Sequence, residues 1–160
     1  MFVPFDQLPE SSRVWVYPAN RPLSEKEVKE LEARLTAFLL EWTAHGTALQ
    51  ASFKIAYKRF LILALDEAPH AASGCSIDAS VRFIQKVEKD YDLILLDKMN
   101  VTYRQGEFFA YKPLLEFKKM VKNRAVSRNT IVFNNLVLNI KELNTLWEVP
   151  AHQSWHARFF

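Results

Sequence analysis

The sequence predicts an α+β fold: a ferredoxin-like β-α-β-β-α-β core, with a C-terminal helical or irregular extension covering the second face of the sheet. Three observations carry this reading. Two long segments, one after Ser24 and one after Cys75, place apolar residues at helical spacing. Short β-prone runs flank them in the order that two split βαβ units require. One of those runs, Phe60–Leu65 (FLILAL), is apolar on both faces, as expected of a central strand covered above and below.

The elements follow in order. Residues 13–17, RVWVY, form a short strand ended by Pro18 and the turn-like ANRP. Ser24 and Glu27 have the spacing of a capping box, with Leu23 and Val28 at the hydrophobic staple positions. Val28, Leu31, Leu35, Phe38 and Trp42 then make one apolar stripe on a helix that stops near Gly46. In 52–58, SFKIAYK, the residues Phe53, Ile55 and Tyr57 alternate with polar or small ones, so this strand has one wet face. A tight turn near Lys58–Arg59 leads into FLILALDE. The second helix carries Ile77, Val81, Ile84, Val87 and Tyr91 as its stripe. MNVTYR and EFFAYK flank Gln105–Gly106 as a hairpin, and MNVTYR is the strand that closes the plait. A helix at about 113–124, a β-prone or irregular TIVFNNLVL, a short helix at about 140–147 and an aromatic tail complete the chain. Leaving Trp147, Trp155, Phe159 and Phe160 in water costs roughly 1.5–3 kcal/mol each, so the tail is expected to dock.

The 160 residues read as a single domain, with the plait over about 13–112 and the extension over about 113–160. A 49% hydrophobic fraction excludes a disordered chain. One cysteine makes no internal disulfide, the N-terminus lacks the features of a secretory signal, and FLILAL is too short to span a bilayer. These observations predict a soluble cytoplasmic protein without membrane insertion.

Three stretches, VPFDQLPESSRVWVY at 3–17, SGCSIDASVRFIQ at 73–85 and VPAHQSWHARFF at 149–160, together resemble a family of small bacterial proteins. Members of that family often carry the label "ABC transporter ATPase" or are called uncharacterised, and the resemblance runs over essentially the whole chain. The family brings no established activity, cofactor or catalytic residue, so the resemblance assigns no role to any position. Its label implies ATP hydrolysis, which needs G-x-x-x-x-G-K-[ST] so that glycine amides can wrap the phosphates. Gly46, Gly74 and Gly106 stand 28 and 32 residues apart, and no lysine follows any of them. ATPase activity is not expected.

Cys75, directly after Gly74 and before the second helix, is the first candidate for chemistry. The positive end of a helix dipole favours a thiolate placed there. The loop 66–75 puts Asp66 and His70 within reach, so Cys75, His70 and Asp66 make a candidate catalytic set. If the helix begins at Ser73 or Gly74, Cys75 lies opposite the core stripe, in line with Asp78 and Arg82 as candidate binding residues. Against this, Cys75 to Arg82 spans six residues where a cysteine phosphatase loop needs five, and a free cysteine is commonly a small buried hydrophobe. Both readings of Cys75 stay open.

His152 and His156, with Glu148, have i, i+4 spacing, but Pro150 interrupts that helical face. No metal and no cofactor is expected. Between Lys112 and Arg128 stand six basic residues against one acid, Glu116, making Lys118, Lys119 and Lys122 candidates for an anionic partner. Nucleic acid is not expected, because FLILAL lacks the glycine and aromatic alternation of an RNA-recognition strand. The leading functional reading is a non-catalytic binding or adaptor module for an unidentified protein or small molecule, with transporter association implied only by the family's label. The rival is a small cysteine-dependent enzyme using Cys75.

Overall fold

In the computed structural model, which describes residues 1–160, the chain alternates mixed α and β elements and divides into two compact units. The first holds Met1–Leu96 with Leu138–Lys141, and the second holds Asp97–Val137 with Glu142–Phe160. No helix is long and apolar enough to cross a membrane.

The first unit is built on β1 (Arg13–Pro18), α1 (Glu25–Glu41), β2 (Thr43–Ala44), β3 (Thr47–Ala48), β4 (Gln50–Ala56), β5 (Phe60–Asp66) and α2 (Gly74–Tyr91). Its main sheet has the order β1-β5-β4, antiparallel throughout. Every residue of β5 from Phe60 to Leu65 is fully buried, so both of its faces are covered. Leu61, Leu63 and Leu65 share one core with Leu31, Leu35 and Leu39 of α1 and with Ile84 and Val87 of α2. The Ser24–Glu27 capping box forms as its spacing requires. Arg21 then grips the same Glu27 through two bonds of 2.9 and 2.8 Å. That pairing pulls the Glu27 carboxyl down to about 2, and a bond from Arg21 to the Tyr91 carbonyl ties α1's start to α2's end. The β4–β5 turn occupies Tyr57–Arg59, where a turn near Lys58–Arg59 was expected: Tyr57 and Lys58 take positive φ, and Arg59 N–H closes on the Ala56 carbonyl.

The plait is not completed by MNVTYR. That strand, β6 (Asn100–Gln105), pairs with β7 (Phe108–Pro113) and β8 (Ile131–Phe133) in a separate sheet of order β7-β6-β8-β9, where β9 is Glu148–Pro150. The physical reason lies at the edge of β1, beside which a fourth strand of a plait belongs. Val14 N–H donates there to the Leu138 carbonyl, and Arg13 bridges Asn139, so the edge is already met. The turn after α2 is also committed elsewhere. Asp92 sits in the left-handed region, and the Glu88 carboxylate accepts from the Leu95 and Leu96 amides, fixing the chain up to the unit boundary.

The region expected to start an extension near 113 therefore belongs to a unit that starts at Asp97 and has its own sheet. Helix α3 (Leu114–Lys122) buries Phe117 against Tyr103, Val101, Val132 and Ala151. A fourth helix, α4, covers Ile140–Leu146. The tail docks: Trp155, Phe159 and Phe160 pack on the Phe117 cluster, as their transfer cost demands.

Candidate functional site

A pocket of about 360 Å³ opens beside the start of α2 in the first unit. Its walls include Phe38, Glu41 and the capping Trp42 of α1, Thr43 and His45 of the β2–β3 ribbon, and Ser73 and Cys75 of α2's start.

Local physics places each of these groups. Ser73 caps α2: its hydroxyl accepts from the Ser76 amide, and the Ser76 hydroxyl accepts from the Ser73 amide, both at 3.1 Å. The Ser76 hydroxyl donates its own proton to the Thr43 carbonyl at 2.8 Å. The 2.7 Å contact between the two serine oxygens must then use the Ser73 proton. Trp42 Nε1 donates to the Ser76 carbonyl at 2.9 Å in a buried bond. His45 and Gly46 both take positive φ, 50° and 78°, in the two-residue turn of the ribbon. That conformation suits glycine and is tolerated by histidine. Each hydrogen bond contributes about 0.5–1.5 kcal/mol net, so residues 42–45 are held rather than draped over the helix end.

The structure separates the residues that the sequence grouped. Cys75 is exposed and lines the pocket. His70 donates from Nε2 to the Ala44 carbonyl at 3.0 Å, which makes it a support for the ribbon. Asp66 accepts from the Ala68 amide at 3.1 Å in a turn of its own. No hydrogen bond joins Cys75 to either. Asp78 and Arg82 are exposed on α2 and form no ion pair. His45 and Glu41, which share the pocket with Cys75, were not singled out in the sequence; the readable signal was the His45–Gly46 turn inside TAHGTA.

The remaining candidates lie in the second unit. His152, His156 and Glu148 form no ligand cluster, because 148–150 is a strand and 151–159 is built of two 3-10 turns. His156 is fully buried, stacked on Trp155 at 3.8 Å and bonded through Nδ1 to the Ser154 hydroxyl. Burial, with Arg158 nearby, lowers it to about 4. Glu148 instead pairs with Arg104 at 3.0 Å. Lys118, Lys119 and Lys122 are exposed on α3. The three glycines occupy two hairpin turns and one helix start, so none contributes to a phosphate-wrapping loop.

No family model matches the chain, and neither the curated proteins nor the solved structures include a match. Function therefore has to be argued from the residues themselves.

Proposed function

We propose that the protein is a non-catalytic binding module whose ligand site is the pocket at the start of α2. The observation that carries this reading is the pocket's make-up: an aromatic wall, a fixed ribbon and an exposed thiol, without a base hydrogen-bonded to that thiol. A concave site with an apolar wall and a few convergent polar groups suits a small molecule. Phe38 and Trp42 supply area for a flat or apolar group, while His45 and the Cys75 amide left over by the capping box supply donors.

The test screens an aromatic fragment library by two-dimensional NMR and by protection of Cys75 from iodoacetamide. Binders are expected to protect Cys75 and to lose at least tenfold in affinity in Phe38→Ala. Fragments that bind without protecting Cys75, or a library with no binder, overturn the reading.

A cysteine-dependent enzyme is the second reading, favoured by one observation: His45 lines the same pocket as Cys75. In it His45, rather than His70, acts as the base. That assignment requires His45→Ala to slow alkylation of Cys75 at neutral pH, whereas the binding reading requires no change.

A further inference from the structure

The second unit carries nine lysines and arginines against five acids, while the first carries twelve against thirteen, so the excess positive charge of the chain belongs to the second. Six of those cations, Lys118, Lys119, Lys122, Arg124, Arg128 and Arg158, are exposed and have no carboxylate within ion-pair distance. Lys112, which pairs with Glu116 at 3.5 Å, is the exception in this stretch.

The fold brings these cations together. The Arg128 carbonyl accepts from the His152 amide and the Thr130 carbonyl from the Ala151 amide, which stitches the turn after α3 to the C-terminal 3-10 segment. Lys118 lies 5.1 Å from the Phe159 ring, and the Arg158 guanidinium lies 5.8 Å from the Trp155 ring. Both rings are only partly buried. Two of the cations thus stand over aromatic rings, and the segments that carry Arg128 and Arg158 are bonded side by side, which gives this basic surface an aromatic component.

Arg124 adds a second observation. Helix α3 ends in a Schellman turn: Arg124 N–H bonds the Val121 carbonyl at 3.1 Å, and Ala125 N–H bonds the Met120 carbonyl at 2.9 Å. The residue between, at φ 57°, stands where glycine is favoured, and here it is arginine. Lys119 and Lys122 complement the helix dipole, and that explains them structurally. Arg128 and Arg158 lie outside the helix, and Arg124 stands one residue past its C-cap, where the dipole favours the charge but the left-handed backbone disfavours the side chain.

We propose that this face binds single-stranded nucleic acid, with the cations on the phosphates and the partly exposed rings against the bases. Phosphates complement the unpaired charge, and ring faces among cations are what sequence-tolerant single-strand binding uses. A bilayer fits less well, because Leu114, Phe117, Met120 and Val121 of α3 pack inside the unit and leave Leu115 as the helix's one exposed large apolar side chain. The strand β5 is core and plays no part, so the objection drawn from its composition does not reach this face. The proposal concerns a different unit from the pocket, and either can fail alone.

The test is fluorescence anisotropy of a labelled twelve-nucleotide oligothymidylate across salt. With six phosphate contacts the log–log slope is about −4, or roughly 300-fold weaker binding at 200 mM than at 50 mM salt. The variant K119Q/K122Q/R124G/R128Q is expected to stay folded and to show a slope of about −1.5. Should that variant fail to fold, Arg124→Gly and Arg128→Gln alone should each reduce the slope by about 0.7. No binding at 50 mM salt, equal binding of a duplex of the same length, equal retention on phosphatidylserine vesicles, or an unchanged slope in the variants overturns the proposal.

Discussion

The start of α2 and the end of α3 are both closed by standard capping geometry, and they differ in how well their residues suit it. At α2, Ser73 and Ser76 satisfy each other's amides, Gly74 opens the first turn and the Ser76 hydroxyl reaches across to Thr43. Both serine hydroxyls there have a local use, and the exposed Cys75 thiol is surplus to the helix. At α3 the Schellman bonds are equally complete, but the left-handed position holds Arg124 in place of glycine. One helix end is optimised with an exposed thiol left over, while the other holds a charged side chain at a backbone cost. In both, the residue that the cap itself does not require is the one on which the proposed site draws.

The largest expected effect tests whether the second unit's face rests on its aromatic core. Phe117→Ala empties the centre of a cluster with Tyr103, His156, Phe159 and Phe160, and should cost about 3–5 kcal/mol in urea unfolding. Loss of less than about 1 kcal/mol would mean that the tail docks without it.

Acid should separate the two units next. His156 titrates at about 4 when folded against about 6.5 when unfolded, so the unfolded chain binds the extra proton between those values. Stability is whole above about pH 6.5, falls by about 3 kcal/mol as pH drops to 4, and then levels off. Arg158 and the Ser154 hydroxyl are the groups that act on the ring. Unfolding midpoints at pH 7, 5.5 and 4 should show this slope in the wild type and not in His156→Leu. Glu27 acts in a lower window. Its carboxyl, held at about 2 by Arg21, contributes stability above about pH 4.5 that is lost as pH falls towards 2.

Two smaller effects of opposite sign sharpen the contrast between the helix ends. Ser73→Ala removes the α2 cap and should cost about 1 kcal/mol by chemical denaturation. Arg124→Gly should raise stability by up to about 1 kcal/mol, since it places glycine where the backbone is left-handed. A destabilised Arg124→Gly would show that the arginine is held by contacts rather than kept for its charge.

Local features were legible in the sequence and pairings across long loops were not. The capping box at Ser24 and Glu27 and the two-faced burial of β5 each follow from residues within a turn or two, whereas the exposure of Cys75 depended on where α2 begins. The partner of MNVTYR does not. Its alternation suits either sheet, and the choice depends on 138–139 reaching β1 from more than a hundred residues away. The stripe of α2 misled for another reason. Ser76 and Ser80 face the core where Ile77 and Val81 were expected, because small hydroxyls can bury once they are bonded, Ser80 to the Ile77 carbonyl and Ser76 to Thr43. His45 joined the site only because Ser76 and His70 pin the two residues before it, and no spacing rule reads such a bond.

The central claim is that the pocket at α2 binds rather than reacts, and the rate of Cys75 alkylation at neutral pH tests it most directly. The binding account predicts that iodoacetamide modifies Cys75 no faster than it modifies free N-acetylcysteine, with the same rate in His45→Ala. A rate at least tenfold above the free thiol that collapses in His45→Ala would contradict it and make Cys75 a nucleophile with His45 as its base.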